Sequence, residues 1–238
     1  MKPFFFFIIS WILLCSGSLN AQQLFTNTNV QHAYEKETRS PSGKPGKNYW
    51  ENHANYNIQV NFDPSTQLLR GHETITYENN SPDTLKEVII RLYPDLYKKG
   101  VYRQSHIAEK DLGEGVKIES FKIGDETISD FNDRKKAFRR NILLYIRPDQ
   151  PLMPHSKTDF EISWDYKVNT GSPVRTGMVD STSYFIAYFY PRVAVYDDID
   201  GWDTWSYNGT QEFYNDFGNY NVQISVPKNY VVWATGDR

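Results

Sequence analysis

Asp197, Asp198, Asp200, Asp203 and Glu212 crowd one stretch that also carries Trp202, Trp205, Tyr207, Phe213 and Tyr214. Paired carboxylates are what glycoside hydrolysis needs, but the separation that decides its mechanism is not encoded by spacing along a chain. An oxygen-rich turn around Gly201 also suits a hard cation, although no complete EF-hand spacing occurs. A solvated acidic loop has the same composition. The aromatic residues would stack on a sugar or a peptide, and would equally fill a core. The five histidines, His32, His53, His72, His106 and His155, are dispersed. His72-Glu73 opens like a zinc-binding HExxH helix, yet Thr76 stands where the second histidine belongs. The alternation around it reads as a strand, which lacks the i, i+4 geometry that the metal requires. There is no G-x-S-x-G elbow for a serine nucleophile. Asn208-Gly209-Thr210 is a formal glycosylation acceptor.

These residues must be positioned by elements, and composition narrows which. Residues 1–21 have one lysine, an apolar core from Phe4 to Leu14 and a small-polar end at Ala21, the layout of a secretory signal peptide. The apolar core is shorter than the roughly 20 residues that a spanning helix needs, so no stable membrane span is expected. Leu14 before Cys15 is too large for a lipidation site. The protein is expected to be exported, to the periplasm, the cell surface or the medium. Cys15 is the single cysteine, so after cleavage no disulfide or thiolate metal site remains. The net charge of −3, with scattered basic residues, provides no footprint for nucleic acid.

Residues 22–48 are polar and end in SPSGKPGK, which reads as a linker or arm. From Tyr49 onward apolar residues recur at every second position. Tyr56, Ile58, Val60 and Phe62 form one run, the turn formers Asp63-Pro64-Ser65-Thr66 follow, and Leu69, Gly71, Glu73, Ile75 and Tyr77 form a second. Further strands are expected over 87–92, 117–123, 126–129, 141–146 and 159–168, about ten in all, with no convincing helix. The expected fold class is all-β: a large antiparallel sandwich or saddle-like domain over 49–238.

The order of these segments resembles the N-terminal β domain of the alanyl-aminopeptidase-like zinc metallopeptidases, the gluzincins. Gly71, Ile75, Tyr77 and Asn79 match a G-x-x-x-I-x-Y/F-x-N run, Ala234-Thr235-Gly236 match the family's closing step, and AYFYP matches an aromatic-Pro corner before an acidic turn. The resemblance implies a substrate-side domain that shapes the S1 end of a peptidase cleft and is inactive by itself. Tyr188 would stand at the position that contacts the substrate's amine, where relatives carry Gln or Glu, and Asp197 and Asp198 would accept its ammonium group. The implied partners are a peptide substrate and a downstream catalytic domain holding zinc. That domain's HExxH, its distant Glu and every other zinc ligand are absent from this sequence, so the chain reads as truncated after Arg238. The alternative is a stand-alone extracellular β-sandwich that binds a glycan or a protein through its aromatic loop.

Overall fold

The computed structural model describes residues 25–171 and 173–237; the expected signal peptide, 1–21, lies outside them. The chain divides into two compact units, Met1–Lys47 and Asn48–Arg238. In the first, the polar linker or arm expected over residues 22–48 carries a helix, α1 (Thr28–Glu35), whose Asn27 side chain accepts from the Asn29 N–H at 2.9 Å. An Asn at this position satisfies a donor that the helix leaves free. Ala33 is fully buried, and the Thr38 hydroxyl donates to its carbonyl at 3.2 Å. Eight residues are too few for the i, i+3, i+4 pattern to stand out in sequence.

The second unit is all-β. A six-stranded sheet has the order β14-β1-β2-β8-β4-β5. Its strands are β1 (His53–Asp63), β2 (Leu68–Asn79), β4 (Lys117–Ile123), β5 (Glu126–Ile128), β8 (Ser156–Lys167) and β14 (Gly218–Ser225). The β1–β2 turn forms because the Asp63 carboxylate accepts from the Ser65 amide at 2.9 Å and its hydroxyl at 2.7 Å. Strict alternation holds across β1, where Tyr56, Ile58, Val60 and Phe62 face inward. β14 lies parallel to β1, with Tyr56 opposite Tyr220, whereas the other pairings of this sheet are antiparallel.

The second sheet has the order β11-β3-β7-β6: β3 (Val88–Arg91), β6 (Ala137–Arg140), β7 (Leu143–Ile146) and β11 (Arg192–Val193). Every residue of β3 and β7 is buried. This sheet is covered on both sides, which is why VIIR and LLYI read as continuous runs instead of alternating ones. Ile90, Leu144 and Ile146 join the inner faces of β1, β2 and β8 in one core. Ile89, Leu143 and Tyr145 belong to a second core with Tyr93, Leu96, Tyr97 and Tyr207. Two ribbons complete the described strands: β9 (Thr176–Asp180) with β10 (Ser183–Ile186), and β12 (Tyr196–Asp197) with β13 (Gly201–Trp202).

The residues of the G-x-x-x-I-x-Y-x-N run all have inward tasks. Gly71 faces Trp164 across the β2–β8 ladder, and a Cβ there would fall 2.2 Å from the indole. The Tyr77 hydroxyl accepts from Asn52 at 2.8 Å, and the Asn79 amide donates to the carbonyls of Asp83 at 2.9 Å and Met153 at 3.0 Å. Gly71→Ala is therefore expected to lower stability by about 1–3 kcal/mol through overpacking. Urea denaturation followed by tryptophan fluorescence checks this; an unchanged midpoint would show that Trp164 moves aside freely.

Candidate functional site

Trp164 also sets the corner that follows β10. Its indole N–H donates to the Phe189 carbonyl at 3.1 Å, and the Tyr56 hydroxyl accepts from the Val193 N–H at 3.2 Å. The corner is thus pinned to the six-stranded sheet on both sides of Pro191. Immediately before the first pin, Tyr188 is held at φ 55°, in the left-handed region that a bulky residue rarely adopts. Its ring lies 5.4 Å from Tyr93 and 5.0 Å, edge-on, from Phe213, on the second core. The Arg175 guanidinium lies 5.2 Å from the ring centroid. Burial raises the Tyr188 hydroxyl above its ordinary pKa, and the charge of Arg175 opposes the shift.

Asp197 ends β12, at the start of the ribbon turn. Its Oδ1 accepts from the amides of Ile199 at 3.0 Å and Asp200 at 2.8 Å, and its Oδ2 accepts from the Tyr214 hydroxyl at 2.7 Å. The carboxylate shapes its own loop, as Asp does in such turns. Three of its roughly four acceptor sites are used, which leaves capacity for a further donor. Asp198 is half-buried beside it. Phe213 packs on Tyr188 and Tyr214 bonds Asp197, so two consecutive residues connect the aromatic and the acidic candidates.

Other sequence candidates have structural tasks. Asp203 pairs with Arg91 at 2.5 Å, both side chains being buried. Glu212 pairs with Arg175 at 2.7 Å. His72 faces Ser163 at 3.0 Å on adjacent strands, as its strand context implies. Asn208 is buried and its Oδ1 accepts from the Thr210 amide at 3.1 Å, so the formal glycosylation acceptor lies in a tight turn. Among the described residues no group of three or more His, Cys, Asp or Glu is placed to hold a metal ion. No helix among them is long and apolar enough to cross a membrane.

Two residues escaped sequence reasoning. Asp216, half-buried, is pushed up to about 7 by desolvation and by the negative charges of Glu51 and Asp197, against the pull of Arg192. Arg175 shares with Tyr188 a positive φ, here 52°. Neither belongs to a local motif, because their partners are remote in sequence.

No protein-family model matches the chain, and no curated protein does. Among solved structures, the chain is similar to a mutant M1 zinc metallopeptidase from Deinococcus radiodurans, at 11% identity and a TM-score of 0.44 over 77% of this chain and 34% of that one. A two-domain M1 zinc metallopeptidase mutant bound to L-arginine is similar at 10% identity and a TM-score of 0.39, over 78% and 35%. Legionella pneumophila aminopeptidase A in complex with aspartic acid follows at 9% identity and a TM-score of 0.28, over 52% and 11%. The chain therefore spans about a third of the length of the first of these proteins.

Proposed function

We propose that residues 49–238 are the exported, substrate-side N-terminal domain of a zinc-dependent aminopeptidase-like metallopeptidase, with residues 184–212 walling the S1 end of its cleft. The observation that carries this reading is Tyr188. At the position aligned with the family's amine contact, the chain holds a bulky residue at φ 55° on a prepared aromatic bed. Strain of this kind costs about 1–3 kcal/mol and is retained where surrounding structure imposes it, commonly at ligand-binding positions. Asp197 and Asp198 lie in the acidic turn joined to that bed through Phe213 and Tyr214, and in this reading they receive the peptide's terminal ammonium.

The described residues provide binding and orientation. Zinc, in the downstream domain, would lower the pKa of a bound water and polarise the scissile carbonyl. The domain by itself is then inactive. The signal-peptide layout of residues 1–21 supports export.

The native protein, purified from its source, is expected to hydrolyse aminoacyl anilides in a chelator-sensitive way. In it, Tyr188→Ala should raise KM about tenfold with a smaller fall in kcat, since the residue positions substrate without entering the chemistry. An unchanged KM would return Tyr188 to the core. Hydrolysis by residues 22–238 alone would overturn the assignment of the chemistry to another domain. A second reading, the extracellular binding module, is favoured by Trp205 and Phe217, exposed at 83% and 80%. Saturable glycan binding by a monomer lacking peptidase activity would establish it.

A further inference from the structure

The Arg175–Glu212 pair has features that an ordinary surface ion pair lacks. Arg175 is at φ 52° and Tyr188 at φ 55°, and the Ala187 amide donates to the Arg175 carbonyl at 3.2 Å, tying the two left-handed residues together. The guanidinium lies over the Tyr188 ring. Stacking of this kind uses the flat face of the group and leaves its edge of N–H donors for planar oxygen acceptors. One of those donors reaches Glu212 Oε1 at 2.7 Å, and the two side chains remain 43% and 68% exposed. An exposed pair contributes at most about 1 kcal/mol, so an incoming carboxylate can replace Glu212 at little cost.

From this geometry we infer that Arg175 is an anion-reading site in which Glu212 stands in for a ligand carboxylate, and that the ligand is a peptide whose N-terminal residue is Asp or Glu. This rests on the reading of Tyr188 as a peptide contact. The ligand chemistry follows from the two charged groups that the aromatic bed joins, Arg175 directly over the Tyr188 ring and the acidic turn through Phe213 and Tyr214. The acidic turn carrying Asp197 and Asp198 complements the terminal ammonium, while Arg175 complements a side-chain carboxylate. An N-terminal acidic residue presents both charges on one short frame. An incoming carboxylate would accept from the outward N–H edge of Arg175, with the guanidinium still seated on the ring and Glu212 swinging into water.

The test is calorimetric titration of the full chain with Asp-Ala-Ala-amide and with Lys-Ala-Ala-amide, whose C-terminal amides leave the Asp side chain as the sole ligand carboxylate. The Tyr188 ring resonances are followed by NMR in parallel. The acidic peptide is expected to bind roughly tenfold more tightly, the scale of one charge-assisted hydrogen bond. Glu212→Gln should tighten it a further several-fold by removing the internal competitor, and Arg175→Gln should make the two peptides equal. Arg175→Lys separates charge from shape: it keeps the cation but not the planar fork, and should retain only part of the preference. Equal affinities in the wild type with shifted Tyr188 resonances would overturn the anion site and leave Tyr188 as a peptide contact. Unshifted Tyr188 resonances with both peptides would overturn both. Weaker binding of the acidic peptide after Glu212→Gln would show that Glu212 holds Arg175 in place, and would also overturn the inference.

Discussion

Asp203→Ala should destabilise the protein by about 3–5 kcal/mol, because it leaves the guanidinium of Arg91 buried without its counter-ion. Arg91 is fully buried on β3, 2.5 Å from the Asp203 carboxylate, and it also donates to the carbonyls of Trp205 and Asp203, both at 3.0 Å. Those two carbonyls would remain, but neither neutralises the charge. The loop they belong to leads into Tyr207, which packs in the second core beneath Tyr188 and Phe213, so the loss should loosen the candidate corner as well. Urea denaturation measures the first effect, and a double-mutant cycle with Arg91→Met isolates the pair. The double replacement should recover much of the loss, since two well-packed apolar side chains often equal a buried ion pair. A cost below about 1 kcal/mol for Asp203→Ala would mean that solvent reaches Arg91.

Glu73 should make stability fall as pH rises. It lies on β2 between Ile58 of β1 and Ile162 of β8, is fully buried, and neither carboxyl oxygen has a hydrogen-bond partner. Desolvation holds its pKa well above the ordinary value, and its charge would disfavour ionisation of Tyr56 and Tyr190. The sign follows from proton binding. The folded protein keeps a proton that the unfolded chain releases near pH 4.3, so the contribution is complete below that pH. It is lost on going up to the raised folded-state pKa, at about 1.4 kcal/mol per pH unit. Glu73→Leu removes both the titration and the unpartnered polar group, and should stabilise the protein by at least about 1–3 kcal/mol at neutral pH. Glu73→Gln should lessen the pH dependence, leaving the part due to the raised pKa of Asp216, while keeping an unsatisfied amide. Thermal unfolding of the three proteins from pH 4 to pH 8 checks both statements. A wild-type stability that does not decline over this range would show that Glu73 has found water or a partner.

Both effects arise where local pattern and tertiary environment disagree. Asp203 belongs to a run of acidic residues that reads as a solvated loop or a carboxylate pair, and it is a buried counter-ion because Arg91, 112 residues away, arrives beside it. Glu73 occupies an inward position of a strand whose alternation is otherwise apolar, so its burial was legible from the pattern while its lack of a partner was not. The same division applies to the corner. Tyr188 was singled out by its neighbours AYFYP, whereas Arg175, which covers it, belongs to a separate loop with no motif of its own.

The sequence alone determined the all-β class and the inward faces of β1, β2 and β8, because a period of two records which side of a strand meets the core. It also located the turn at Asp63-Pro64-Ser65 and the corner at Pro191, where side-chain chemistry acts over a few residues. Only the tertiary structure decided that β14 runs parallel to β1, that β3 and β7 are covered on both faces, and that Asp197 is bound by Tyr214. These depend on the meeting of segments far apart in the chain, as when Tyr56 packs against Tyr220 at 4.8 Å. A local pattern reports burial, but the partner in each burial is chosen by the packing of the whole domain.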